Sequence, residues 1–282
     1  MSATVLRVRE LTVQRGKRIL CEALSFDVQP SDCWVIIGQN GAGKSTLLLT
    51  LAGLLPSARD NIEGNINYSE KPLSSLSALE RARYRAFLAS QQSDAFSATV
   101  FDAVLAGRHP HLARNLWQWE SADDVAATEA ALMSLKLEAL TTRDVRTLSA
   151  GERQRVALAA TLAQAPSLYL LDEPASHLDP AQQIEALDTV LAHARQQRAA
   201  VVMALHELHL ATRYADHVIL LGNKNTRAQT GTAAEMLTAE NLSTLFGANM
   251  ATLEGNGLKS FVPDRSQASG IGNQRSEQTQ GG

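Results

Sequence analysis

The sequence predicts an α/β protein: a mostly parallel sheet with helices on both faces, an antiparallel β portion ahead of it and a helical portion inserted into it. Three observations carry this. Residues 34–37 (Trp-Val-Ile-Ile) form a short apolar run bounded by turn residues, the pattern of a buried strand, and the stretch 46–52 beyond the following glycines is apolar and helix-compatible. From residue 167 onward, apolar runs at 168–171, 200–204 and 217–221 recur, with helical patterns between the first two. Strands alternating with helices argue for a parallel sheet. Between about residues 77 and 147 helical periodicity dominates, as over 126–135, with few strand-like segments.

In chain order, residues 5–8, 11–13 and 24–28 are β-type stretches broken by turn residues such as Arg15-Gly16-Lys17, and they read as an antiparallel sheet leading into strand 34–37. Gly38-Gln39-Asn40-Gly41-Ala42-Gly43-Lys44-Ser45 then fits G-x-x-x-x-G-K-[ST] in full, in the strand–loop–helix setting that gives the motif meaning. Its glycines let successive N–H groups point inward around an anion, and the helix start adds partial positive charge. Lys44 is placed to reach terminal phosphates and the Ser45 hydroxyl to bind Mg²⁺. The chain is therefore expected to bind a nucleoside triphosphate, with Gly38, Asn40, Gly41, Ala42, Gly43, Lys44, Ser45 and Thr46 around it. The apolar run 168–171 ends in Asp172-Glu173, at the strand edge where open α/β sheets bind ligands. Two acids before Pro174 also describe an ordinary loop. Beside a phosphate loop they acquire tasks: Asp172 to hold Mg²⁺ directly or through water, Glu173 to accept a proton from attacking water.

Bulk properties exclude several classes. At 282 residues the chain suits one large domain, assigned here to residues 1–262, with a Ser-, Gln- and Gly-rich tail at 263–282 expected to be disordered. A net charge of −3 offers no basic field for nucleic acid. Cys21 and Cys33 have neither metal spacing nor a disulfide framework and are expected as buried apolar residues in a reducing compartment. No apolar run approaches the roughly 18 residues of a membrane span, and residues 1–7 lack a secretory core, so a cytosolic protein is expected.

Leu148-Ser149-Ala150-Gly151-Glu152, followed by Arg153-Gln154-Arg155, resembles the signature loop (usually Leu-Ser-Gly-Gly-Gln) of the ATP-binding cassette ATPases. Other family elements follow in order: Gln91 resembles the Q-loop glutamine (Gln92 is adjacent, which leaves the register open), Ser176-His177-Leu178-Asp179 the D-loop, and His206 the switch histidine. The resemblance spans about residues 6–246 and implies a phosphate-loop NTPase core with an antiparallel β subdomain and a helical subdomain at about 77–147. It also implies a head-to-tail homodimer in which Ser149 and Gly151 contact the γ-phosphate held by the partner chain. By the same resemblance Gln91 senses Mg²⁺ and water, His206 holds the γ-phosphate and the water, and Asp179 sits at the dimer interface. Read from the residues alone, Ser149 before Glu152 is equally a capping box and Asp179 before Pro180 a helix N-cap.

Two departures stand out: Arg15 occupies the place where the family often has an aromatic residue under adenine, and Ala150 and Glu152 replace glycine and glutamine. The Ala150 methyl is tolerable only at negative φ. Thr99-Val100-Phe101-Asp102-Ala103-Val104, then Ala106-Gly107-Arg108-His109-Pro110-His111, and later residues 238–242 ahead of Phe246-Gly247 resemble cassettes of the iron-chelate (siderophore or heme) and vitamin B12 importers. That implies ATP and Mg²⁺ as ligands, two transmembrane permease subunits as partners and, indirectly, a periplasmic or extracellular substrate-binding protein. The implied location is peripheral, on the cytoplasmic face of the plasma membrane. The alternatives are an exporter cassette or a soluble cassette acting on ribosomes or DNA. One cassette, no sustained heptads and the charge of −3 weigh against the last.

Overall fold

The computed structural model describes residues 4–55, 60–90, 97–111, 120–222, 228–255 and 258–264. Strands β1 (Leu6–Arg15) and β2 (Arg18–Val28) form a hairpin, followed by β3 (Cys33–Ile37) and helix α1 (Lys44–Leu51). Then come β4 (Asp60–Tyr68), β5 (Lys71–Pro72), α2 (Ala78–Tyr84), β6 (Arg85–Leu88), α3 (Val100–Leu105), α4 (Ala122–Ser134) and α5 (Ala150–Ala163). The remainder is β7 (Leu168–Asp172), α6 (Pro180–Gln196), β8 (Ala200–Ala204), α7 (Leu208–Tyr214), β9 (His217–Leu220), β10 (Gln229–Thr232), α8 (Ala233–Met236), α9 (Ala239–Phe246), β11 (Met250–Gly255) and β12 (Leu258–Pro263).

Two sheets organise the molecule. The antiparallel sheet has the order β2-β1-β4-β5, with β1 alternating buried Leu6 and Val8, then Leu11 and Val13 after a register shift at Glu10, whose φ is +50°. The larger sheet has the order β10-β9-β3-β8-β7-β6; β9, β3, β8, β7 and β6 are parallel, and β10 is antiparallel at one edge. Strands β3, β7 and β8 are buried along their whole length, as expected of a parallel sheet covered on both faces.

Alternate residues of each central strand feed two cores, because successive side chains point to opposite faces. Trp34, Ile36, Leu168, Leu170, Val202 and Ala204 pack with α1 and the antiparallel sheet. Cys33, Val35, Tyr169, Leu171, Val201 and Met203 pack with α5, α6, α7 and α9. Both cysteines are buried free thiols; burial pushes the Cys21 thiol up to about 11 and the Cys33 thiol higher still.

One expectation needs correcting. The stretch 77–147 is not wholly helical: Arg85–Leu88 is β6, which pairs in parallel with β7 at the edge of the main sheet. Four residues are too few to reveal a period, and the leading arginine hides the strand. Beyond it, α3 and α4 pack against α5. The tail assigned to 263–282 begins inside the β11–β12 strand pair, since Pro263 ends β12 opposite Met250, and from residue 265 it lies outside the described residues. Among the described residues no helix is long and apolar enough to cross a membrane.

Candidate nucleotide site

The buried strand β3 ends directly at Gly38, and the loop to α1 closes on itself through the Ala42 N–H to the Gln39 carbonyl at 3.0 Å. Gly43 caps α1 with φ +109°, and a Cβ there would stand 3.0 Å from the Leu20 side chain. The backbone conformation calls for glycine at that position, and a side chain there would also have to displace Leu20 by a few tenths of an ångström. Lys44 opens the helix almost fully buried, at 6% exposure, and its Nζ donates to the carbonyls of Gly38 (2.9 Å) and Gln39 (3.3 Å). Burial lowers the Lys44 pKa against the opposing pull of Glu173 and Asp172.

The carboxyl ends of β7 and β8 deliver the rest. Asp172 closes β7 at 2% exposure, and its Oδ1 is buried without a hydrogen-bond partner. Glu173 leaves the strand with φ +53°, an uncommon conformation for a non-glycine residue, pinned by its N–H to the Ala204 carbonyl at 3.1 Å. Two residues beyond Ala204, His206 places Nε2 at 2.5 Å from Glu173 Oε1 and Nδ1 at 3.4 Å from Lys44 Nζ. Three strand ends thus converge where parallel sheets carry ligands.

Lys44, Glu173 and His206 face a cavity of about 580 Å³, which Asp172 does not line. Asn40, Gly41, Gly43, Lys44, Ser45, Thr46, Glu173 and His206, all picked out from the sequence, line one wall, while Arg15, Arg18 and Leu20 of the β1–β2 hairpin line the rest. Gly38 and Ala42 shape the loop without lining the cavity. Arg18 and Leu20 were not anticipated; only their closeness in sequence to the Arg15 turn hinted at them. The donor set fits a hard divalent cation: an orphaned buried carboxylate oxygen on Asp172, together with the Ser45 hydroxyl in the cavity lining, is the oxygen chemistry Mg²⁺ takes.

Ser149, Gly151 and Asp179 lie outside this cavity wall, at the starts of α5 and α6. The capping box forms: Ser149 Oγ accepts from the Glu152 N–H at 3.2 Å, and the Glu152 carboxylate accepts from the Ser149 N–H at 2.7 Å. Those Ser149 contacts, backbone first, hold the Glu152 carboxyl below its usual range. Ala150 is helical and absent from the positive-φ positions, so its methyl is accommodated. Asp179 caps α6 by accepting from the Gln182 N–H at 2.9 Å, with Pro180 next. Gly151 faces the turn after Glu173, where a Cβ would lie 3.1 Å from the His177 carbonyl. Gln154, one turn further along α5, donates to the Pro174 carbonyl at 2.8 Å and the Glu173 carbonyl at 3.4 Å. Gln91 and Gln92 lie outside the described residues.

The family model for ABC transporters matches residues 21–176, from the β2 strand through the phosphate loop and Asp172-Glu173. This chain belongs to the ABC transporter family. It is an ATP-binding cassette of the ATP-hydrolysing transporter subunits. Among its relatives, the hemin import ATP-binding protein HmuV of Burkholderia ambifaria is 37% identical over 257 residues, covering 86% of the cassette and 93% of the relative. The achromobactin transport ATP-binding protein CbrD of Dickeya dadantii is 37% identical over 243 residues, covering 86% and 88%. A chain from an inward-facing ABC transporter, provisionally typed as metal-chelate, superposes with a TM-score of 0.78 at 29% identity, covering 94% of the cassette and 99% of that chain.

Proposed function

We propose that this cassette is the ATP-hydrolysing subunit of an iron-chelate importer, working as a homodimer beneath two transmembrane permease subunits on the cytoplasmic face of the membrane. The observation that carries the ATPase chemistry is the pairing of Glu173 with His206 in the cavity wall, beside Lys44. The named import functions of the relatives supply the direction of transport.

Lys44 and the loop N–H groups bind the β- and γ-phosphates. Ser45 and Asp172, with Gln91, would hold Mg²⁺, which offsets charge on the phosphates during transfer. Glu173 accepts the proton of the attacking water, and His206 orients that carboxylate and contacts the γ-phosphate. Ser149 and Gly151 of the partner chain offer a hydroxyl and N–H groups at a helix start, suited to the γ-phosphate. The capping box uses the Ser149 oxygen as acceptor and leaves its hydroxyl hydrogen available, so both roles fit one side chain. Asp179 sits at the contact between chains. Closure with ATP and reopening after hydrolysis then drive the permeases, which an external substrate-binding protein supplies.

The test is a pull-down of tagged chain from detergent-solubilised membranes of its source cells. Recovery of a many-helix permease of the iron-chelate class is expected. Recovery of export-type subunits, or of ribosomal or DNA-bound proteins alone, would overturn the importer assignment.

A further inference from the structure

Two helices carry the loops proposed to meet the nucleotide, and their far ends are fastened to each other. α1 begins at the phosphate loop. Its last carbonyls accept from Tyr68 Oη (Leu51, 2.6 Å), Arg85 Nε (Ala52, 2.9 Å) and, just beyond, Arg81 Nη1 (Gly53, 3.3 Å). Helix ends leave such carbonyls without intrahelical partners, so these contacts fix where α1 stops. α5 begins at Ser149–Gly151 and ends at Ala163, capped by Gln164. The Gln164 side-chain amide donates both its hydrogens into the α2–β6 junction, to the carbonyls of Ala82 (2.5 Å) and Arg85 (2.9 Å). Arg85 therefore holds α1 with its guanidinium while α5 holds Arg85 by its carbonyl.

The other side of the same helix end is equally occupied. The Gln164 carbonyl accepts from His111 Nε2 at 2.8 Å and the Ala163 carbonyl from Arg108 Nη1 at 2.8 Å. Arg108 Nε reaches Asp124 Oδ1 on α4 at 2.8 Å, so α4 moves with this end of α5. Immediately after Gln164 the chain turns through Ala165 at φ +48°, and no further helical turn stiffens the end.

We infer that Gln164 is a positioning residue: its two hydrogen bonds to the α2–β6 junction set the direction in which α5 presents Ser149 and Gly151, relative to the phosphate loop at the start of α1. The inference rests on the two-chain reading proposed above. Gln154 near its start and Gln164 at its end tie α5 by their side chains to the sheet side of the molecule, about 15 Å apart at 1.5 Å per residue. With the Gln164 tie gone, the end of α5 keeps its Arg108 and His111 contacts to the helical side but loses its hold on the α2–β6 junction, so on the sheet side Gln154 is left as the point about which the helix can turn. A swing of roughly 5° about Gln154 displaces the Ser149 end by about 0.7 Å, beyond the roughly 0.5 Å within which a site must be held.

The test uses Gln164→Glu, which keeps the shape but turns two donors into acceptors facing two carbonyls, and Gln164→Met, which removes the donors without adding charge. Either one that keeps its helical spectrum is read. Nucleotide affinity of the dilute single chain, which needs only the phosphate loop, is expected to stay within about twofold of wild type. MgATP-driven dimerisation in the Glu173→Gln background should weaken about tenfold, and kcat in the wild-type background should fall by a similar factor, as a sub-ångström misplacement of groups at the γ-phosphate would give. Unchanged dimerisation and kcat overturn the inference, as does an equal loss of single-chain nucleotide affinity. If the Glu173→Gln parent itself forms no dimer with MgATP, the two-chain reading falls and this inference with it. A parent that dimerises, with variants that dimerise equally well, overturns the inference alone.

Discussion

Asp172→Asn should move stability in opposite directions with and without nucleotide. In wild type a nearly inaccessible carboxylate keeps one oxygen without a partner, a penalty of about 1–3 kcal/mol for a buried polar group left unsatisfied. An amide of the same shape still leaves a polar atom unpartnered but removes the additional cost of burying a charge, while forfeiting the attraction between Asp172 and Lys44. The net gain expected is about 1 kcal/mol, which for a chain of this size raises Tm by about 2–4 °C. The opposite change appears with MgATP. At a nucleotide concentration a hundredfold above Kd, binding adds about 2.7 kcal/mol to wild type, and without the carboxylate to hold the metal most of that addition disappears. Thermal unfolding in chelator, then in MgATP, reads both. A variant that melts below wild type in chelator would refute the buried-charge reasoning. One that keeps the full MgATP increment would refute the placing of the metal on Asp172.

Other substitutions separate the steps. Glu173→Gln should bind ATP with near-normal affinity and lose about 10²–10⁴-fold in turnover, the range of a general base; near-normal steady-state hydrolysis would remove Glu173 from that role. Lys44→Ala removes a charged donor from the phosphates and should weaken nucleotide binding at least about tenfold in a calorimetric titration. Unchanged binding would count against the phosphate-loop assignment. Glu152→Gln should keep the α5 cap but alter its acid response. The Glu152 carboxyl is held below its unfolded pKa, so its contribution to stability is full above about 4.3 and is lost as pH falls through the lower folded value. Wild type should therefore lose Tm faster than the variant on acidification below pH 4; parallel curves would show that the cap does not titrate.

Much of this molecule was legible because its signals are local. The phosphate loop needs consecutive residues, and a buried parallel strand such as β7 is a short apolar run whose end marks the site, so Lys44, Asp172 and Glu173 could be named before any contact was known. His206 was placed by order along the chain, and the structure puts its ring against Glu173. What stayed hidden depends on distant pairing. β6 is four residues whose strand character comes from lying beside β7, and Arg18 and Leu20 enter the cavity only because the β1–β2 hairpin folds over the phosphate loop. Gln154 and Gln164 are plain helical glutamines in sequence; their importance lies in carbonyls 19 to 82 positions away.

The tie from Gln154 to the carbonyls of Glu173 and Pro174, with Gly151 close against His177, makes the start of α5 and the turn after Glu173 one mechanical piece. In a head-to-tail pair, each chain would carry on that piece both the base for its own ATP and the clasp for its neighbour's. Neither site could then relax without tugging on the other. The pair would keep a single clock rather than two, and the stroke delivered to the membrane would be a joint one.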